Sequence, residues 1–176
     1  NMLDNYFVQF GFIHGVVHCA YPISEKWGST FEDLNSKYLN QDLSLQLGGA
    51  IMLSQAAYKL FSRQGGGNLI HVSSIQGVQA PKFDHYANTE MTSPIEYAAI
   101  KSGIISITRW LAKYSANQNI RVNCVSPGGI LDDQPKEFLE RYRQSCINIG
   151  MLSARQVAET IVFLLGPNAS AINGQN

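Results

Sequence analysis

Three short apolar runs set the terms for this chain: HGVVHCA (14–20), NLIHVSS (68–74) and IRVNCVS (120–126). They begin 54 and 52 residues apart, and each ends in small or polar residues. Short apolar runs bounded by turn residues suit strands buried on both faces, which is the habit of a parallel sheet, and parallel neighbours need crossovers long enough to hold a helix. The intervals supply those crossovers. Between 41 and 63, apolar residues recur at Leu43, Leu47, Ala50, Ile51, Ala57 and Phe61, and GGG at 65–67 stops the pattern. From Pro94 onward Tyr97, Ile100, Ile104, Ile107, Leu111 and Tyr114 step by three and four along one helical face. A helix also opens the chain (Leu3, Tyr6, Phe7, Phe10), and 21–38 reads as a polar connector. After the third run, Gln134 before Pro135 predicts a helix start, with Phe138 and Tyr142 on one side. SARQ (153–156) reads as a capping box ahead of Val157, Ile161 and Leu164, with Gly166 and Pro167 as the stop.

This alternation predicts an α/β fold: a doubly wound, Rossmann-like parallel sheet with right-handed crossovers, in one domain over 1–176. Such sheets bind ligands outside the carboxyl ends of their strands.

Charge narrows the function classes. With 13 basic and 13 acidic residues the formal charge is zero, so no general field draws in nucleic acid or anionic lipid. No apolar run approaches the roughly 20 residues that a bilayer crossing needs, and the start of the chain lacks signal-peptide order. A cytoplasmic protein with a small-molecule substrate follows as the expectation. Cys19, Cys124 and Cys146 are odd in number and widely spaced, which predicts reduced, mostly buried thiols, with neither a disulfide framework nor a metal site.

If ligands bind at strand ends, the second strand offers Ser74 there, and the helix beyond it offers Tyr97 and Lys101. At i and i+4 those two side chains project from one helical face. An ammonium beside the phenol would favour the phenolate, drawing a pKa of about 10 toward working pH. A phenol tuned in this way exchanges a proton with an alcohol or carbonyl oxygen, and Ser74 would hold that oxygen by a hydrogen bond. Hydride would come from a cofactor, since no side chain carries it. The same spacing also fits a packed tyrosine beside a solvated lysine.

Several motifs in order resemble the short-chain dehydrogenase/reductase family along the whole of 1–176. YAAIK (97–101) resembles its Tyr-x-x-x-Lys, HVSSIQG its serine-bearing strand, IRVNCVSPGGI its strand ending in Pro-Gly, and AINGQN the run before its final strand. AYP (20–22), MTSPIEY and SPGGILDDQP resemble the branch associated with bacterial flagellin modification and its sugar synthesis. The resemblance implies Ser74 as the serine that holds the substrate oxygen, Tyr97 as general acid/base, and Lys101 as its partner and a ligand of the nicotinamide ribose. It implies NAD or NADP as cofactor, with Pro127, Gly128 and Ile130 lining the nicotinamide pocket and Ala20 beside the adenosine. A homodimer or homotetramer is implied too, the dimer packing through the helices at 41–63 and about 95–115.

The departures are informative. The Gly-rich pyrophosphate turn and the residue that selects NAD or NADP would lie in roughly seventy residues before Asn1, and the last strand beyond Asn176, so the fold is expected to be incomplete at both ends. Where the family has Asn-Asn-Ala-Gly stand His18, Cys19, Ala20 and Tyr21, and Gln46 replaces the asparagine that holds a relay water. Asp132 stands where a threonine often follows the Pro-Gly turn. The interval from Ser74 to Tyr97, 23 residues, is longer than is usual by about ten, which makes PKFDHYANTEM (81–91) a substrate lid or a plain surface loop. Within it His85 reads as a solvated loop residue in preference to an accessory acid or sugar ligand, and His71, inside a strand, as a hydrogen-bonded core residue in preference to a ligand. The rival to an enzyme is a catalytically silent structural or interaction domain of the same family.

Overall fold

The computed structural model describes residues 2–176. Its strands are β1 (Gly15–His18), β2 (Gly67–Val72) and β3 (Ile120–Val125), parallel and in the order β1-β2-β3. The central strand β2 is paired along both edges, and its Leu69, Ile70 and His71 are buried. Alternate side chains leave the sheet in opposite directions. Leu69 and Val122 pack with Phe61 and Leu111, whereas Ile70 packs with Leu164 and Ala169 on the other side. Helices cover both faces, as the alternation predicts.

On the first face lie α1 (Met2–Phe10), α3 (Gly49–Gln64) and α4 (Ile95–Tyr114). The predicted helix at 41–63 begins earlier, at α2 (Ser36–Asp42), where the Asn35 side chain accepts from the Lys37 N–H. Polar residues fill that first turn, so apolar periodicity missed it. Between α2 and α3 the chain forms a π-helical segment, Leu43–Gly48, which turns Gln46 inward. Gly65, at φ +90°, ends α3 in the left-handed region that a residue without Cβ adopts freely. On the second face lies α6 (Ala154–Leu165), opened by the predicted capping box of Ser153 and Gln156. The helix predicted at Pro135 is α5 (Lys136–Gln144).

Full burial of Phe61, Ile100 or Ile70 contributes about 1.5–3 kcal/mol each by removing apolar surface from water. Buried polar residues fix the rest. Asn123 donates to the Ile172 carbonyl and accepts from the Gln175 N–H, and Cys124 N–H donates to the Gln175 carbonyl, so 172–175 lies along the outer edge of β3. Arg121 donates to carbonyls at Leu164 and Ile172, closing the end of α6.

Candidate active site

The carboxyl end of β2 is stitched to α4 at one point. The Ser73 hydroxyl donates to the Lys101 carbonyl (2.8 Å), Lys101 Nζ donates to the Val72 carbonyl (3.1 Å), and the Ser102 hydroxyl donates to the Gly77 carbonyl (2.8 Å). A Cβ on Gly77 would come within 2.7 Å of the Lys101 backbone, so only glycine lets the turn after Ser74 approach the helix this closely. Residue 74 is thereby held against the first turns of α4. A further backbone bond, from the Ile75 N–H to the Pro127 carbonyl (2.9 Å), ties that turn to the loop after β3.

Ser74, Tyr97 and Lys101 open together onto a cleft of about 720 Å³, outside the carboxyl ends of the strands. Pro127, Gly128 and Ile130 line it as well. Lys101 is only 7% exposed, which departs from the solvated-lysine alternative. Its ammonium lies 5.4 Å and 5.5 Å from the ring centres of Tyr21 and Tyr97, whose faces offset part of the cost of burying the charge. Trp27 and Tyr21 meet the Tyr97 ring edge-on. Nothing in the periodicity of 21–38 signalled that this connector would return two aromatic rings to the site.

The electrostatics correct the expectation that Lys101 lowers the phenol. Burial holds Tyr97 above its ordinary value, the hydrogen bond with the Ser74 hydroxyl pulls it down, and the neighbouring Tyr86 pushes it up again. Burial lowers Lys101, against the pull of the Cys124 and Cys19 thiols. Its charge is spent on the Val72 carbonyl and two aromatic rings, while removal of the phenol from water dominates Tyr97.

Ala20 is exposed and is not among the residues lining the cleft; its neighbours Cys19 and Tyr21 are. Gln46 is 3% exposed on the π-helical segment, off the cleft wall, and its Nε2 has no hydrogen-bond partner among the described residues. The thiol expectation needs amending, since only Cys124 is fully buried and Cys19 is exposed. All three are free, and the described residues hold no cluster suited to a metal ion.

His85 is buried rather than solvated. Its Nε2 meets the Ser145 hydroxyl at 2.8 Å and its ring packs on Phe138 and Tyr142, while Arg141 donates to the carbonyls of His85 and Ala87. The long loop is therefore clasped to α5 and forms a wall of the cleft. Tyr142 extends the clasp, its hydroxyl accepting from the Gly129 N–H at 2.6 Å. His71 is the core residue expected, but it has a partner that the sequence did not announce. The Ser54 hydroxyl donates to the Ala50 carbonyl, so Ser54 Oγ accepts from His71 Nε2, and His71 Nδ1 then accepts from His18 Nδ1 at 3.2 Å. Sequence reasoning had Tyr86 only as part of the lid or loop at 81–91 and passed over Gln76 and Ser93; Tyr86 and Ser93 both bond to Gln76, beside Ser74.

The sequence model of the family described as Enoyl-(Acyl carrier protein) reductase matches residues 1–176. The chain is 44% identical over 174 residues to a post-translational flagellin modification protein A from Campylobacter coli, covering 98% of this chain and 68% of that protein. It is 29% identical to a 7alpha-hydroxysteroid dehydrogenase from Bacteroides fragilis, over 95% of this chain and 62% of that one. Among solved structures, a short chain dehydrogenase from Leptospira borgpetersenii with bound NAD+ superposes with a TM-score of 0.87 at 30% identity, over 99% of this chain and 67% of that one.

Proposed function

The chain belongs to the short-chain dehydrogenase/reductase family, and from that premise we propose that it serves an oxidoreductase that interconverts a secondary alcohol and a ketone with NAD or NADP. One observation carries this reading: two separated segments, the turn after β2 and the first turns of α4, bring a buried hydroxyl, a half-buried phenol and a buried ammonium, Ser74, Tyr97 and Lys101, to one cleft.

The residues present fit the nicotinamide end of such a cofactor. The turn at Pro127–Ile130 reaches the cleft as nearly bare backbone, and the space that a Cβ on Gly129 would take is filled by Met151 and Tyr142. Pro127, Gly128 and Ile130 would hold the nicotinamide, Tyr97 and Lys101 its ribose, and Ala20 would border the adenosine. When bound, the cofactor supplies or accepts hydride. Ser74 Oγ holds the substrate oxygen by a hydrogen bond. Tyr97 Oη gives that oxygen a proton in reduction and takes it back in oxidation. Lys101 steadies the phenolate left after proton transfer, and Gln46, through its unpartnered amide, holds a water on the path that restores the proton.

The substrate in this reading is sugar-like, processed in the cytoplasm during surface-glycan or flagellin modification; likeness to the Campylobacter coli protein supports it. The protein works as a homodimer, or as a homotetramer built from it, through α3 and α4. Between those helices runs an apolar groove of about 570 Å³ lined by Ile51, Tyr58, Ile107, Trp110 and Tyr114.

The test uses the full natural chain with NADH or NADPH and a panel of ketones, following loss of the reduced-nicotinamide absorbance. Turnover is expected, and Tyr97→Phe should lower it about 10²- to 10⁴-fold with an unchanged melting temperature. A silent structural domain would show no turnover with either cofactor.

A further inference from the structure

Gln76 is the pivot of the wall facing the catalytic residues. Its backbone N–H donates to Ser74 Oγ at 3.1 Å, so its position is tied to the reacting centre. Its side-chain amide is oriented by two partners. Oε1 accepts from the Ser93 hydroxyl at 2.7 Å, and Nε2 donates to the Tyr86 hydroxyl at 3.0 Å. These bonds leave a defined set of free groups. Tyr86 oxygen accepts from Gln76, and its own O–H donates to no partner among the described residues. Ser93 has committed its proton and keeps lone pairs, while the second N–H of Gln76 has no partner among the described residues. All three residues line the catalytic cleft.

A wall that offers both donors and lone pairs matches a hydroxyl group, which is itself donor and acceptor. A carboxylate or phosphate carries acceptors only and calls for a cation. Among the described residues the only charged side chains lining the cleft are Lys101 and Asp132. Lys101 is bound to the Val72 carbonyl, and Asp132 repels anions. Arg141, the nearest basic residue of α5 to this loop, is turned toward the carbonyls of His85 and Ala87. Apolar surface from Phe138, Met91 and Met151 completes the lining and suits the C–H faces of a ring.

We propose that Gln76, Tyr86 and Ser93 form a hydroxyl-reading wall that determines specificity, selecting a ketone or alcohol with an uncharged hydroxyl-bearing ring next to the reacting carbon. The proposal deepens the oxidoreductase reading and rests on it for the reaction, though not for binding. Tyr86 is held in place by the loop clasp: its ring packs on Phe138 at 5.1 Å between centres, and the adjacent His85 is bonded to Ser145.

Three probes test it with the full natural chain: 2-hydroxycyclohexanone, cyclohexanone and 3-oxocyclohexane-1-carboxylate. Binding is read by ligand-observed NMR, and reduction with NADH or NADPH is read by absorbance. The hydroxyketone is expected to bind about tenfold tighter than cyclohexanone, as two hydrogen bonds to neutral groups provide, and the carboxylate is expected to bind weakest. Tyr86→Phe keeps the ring that packs on Phe138 and should cut the preference for the hydroxyketone about threefold or more. Gln76→Leu, which frees Ser93 and Tyr86 together, should bring the ratio close to one. Equal binding of the two neutral ketones by the unaltered protein, a preference that survives both substitutions, or tightest binding of the carboxylate would overturn the proposal. A hydroxyketone preference in binding without any reduction would uphold the wall and sink the oxidoreductase reading instead.

Discussion

The two ends of α4 invert the usual partition of residues in opposite ways. In its first two turns Glu96 and Lys101 are buried, at 3% and 7% exposure; in its last two, Trp110 and Tyr114 stand 64% and 57% exposed and stack on each other at 4.8 Å. Exposed apolar residues are ordinary when scattered, but a contiguous aromatic pair beside a groove is not, and neither is a buried lysine. The two departures are met differently. The buried ammonium is met by a carbonyl and two aromatic faces, whereas the exposed rings border an open apolar groove. In the proposed reading one helix serves two purposes, chemistry at its amino end and self-association at its carboxyl end, with Ile100 and Ile104 packed in the core between them.

Substitutions at either end should separate the two purposes. The largest effect is expected at Lys101. Lys101→Met keeps the length of the stalk but removes the donor to Val72 and the charge beside Tyr97, so kcat/KM should fall about 10²-fold or more while the association state holds. Loss of the dimer in sedimentation would show that the two ends are coupled. Trp110→Ala should do the reverse, weakening self-association about 10- to 100-fold, as loss of a central aromatic anchor does. A dimer unchanged by that substitution would place the interface elsewhere.

A third effect concerns the sheet beneath. Burial depresses the His71 imidazole from an ordinary value of 6.5 to about 3, so between those values the unfolded chain binds a proton that the folded chain refuses. The stability due to neutral His71 is complete above about pH 6.5 and declines as pH falls toward 3, at about 1.4 kcal/mol per pH unit. His18, lowered first by burial and then by Lys101, acts in the same direction. Denaturant titrations at several pH values should show a slope shallower by one proton in His71→Asn; an unchanged slope would mean that His71 is not the group refusing the proton.

The strands and α4 were legible because their patterns are local: a short apolar run, a step of three and four, a capping box at Ser153. Ser74, Tyr97 and Lys101 came from motif and strand-end reasoning, and the fold gathers them in one cleft. What escaped depends on distant contacts. A π-helical segment breaks the 3.6 period at Leu43–Gly48 without a residue type that marks it. The burial of His85 is set by α5, sixty positions away at Ser145, and the connector's Tyr21 and Trp27 are significant only once folded against Tyr97. The sign of the Tyr97 shift was missed because spacing shows a neighbouring charge but not how far both groups leave water.

The central claim is that Tyr97 donates the proton, and the rate of ketone reduction against pH tests it most directly. Because burial holds the phenol above its ordinary value, the rate with saturating reduced nicotinamide should stay level past pH 10 or so before it falls, and Tyr97→Phe should abolish that limb together with most of the rate. A limb near the ordinary histidine range, or a profile that Tyr97→Phe leaves intact, would contradict the account.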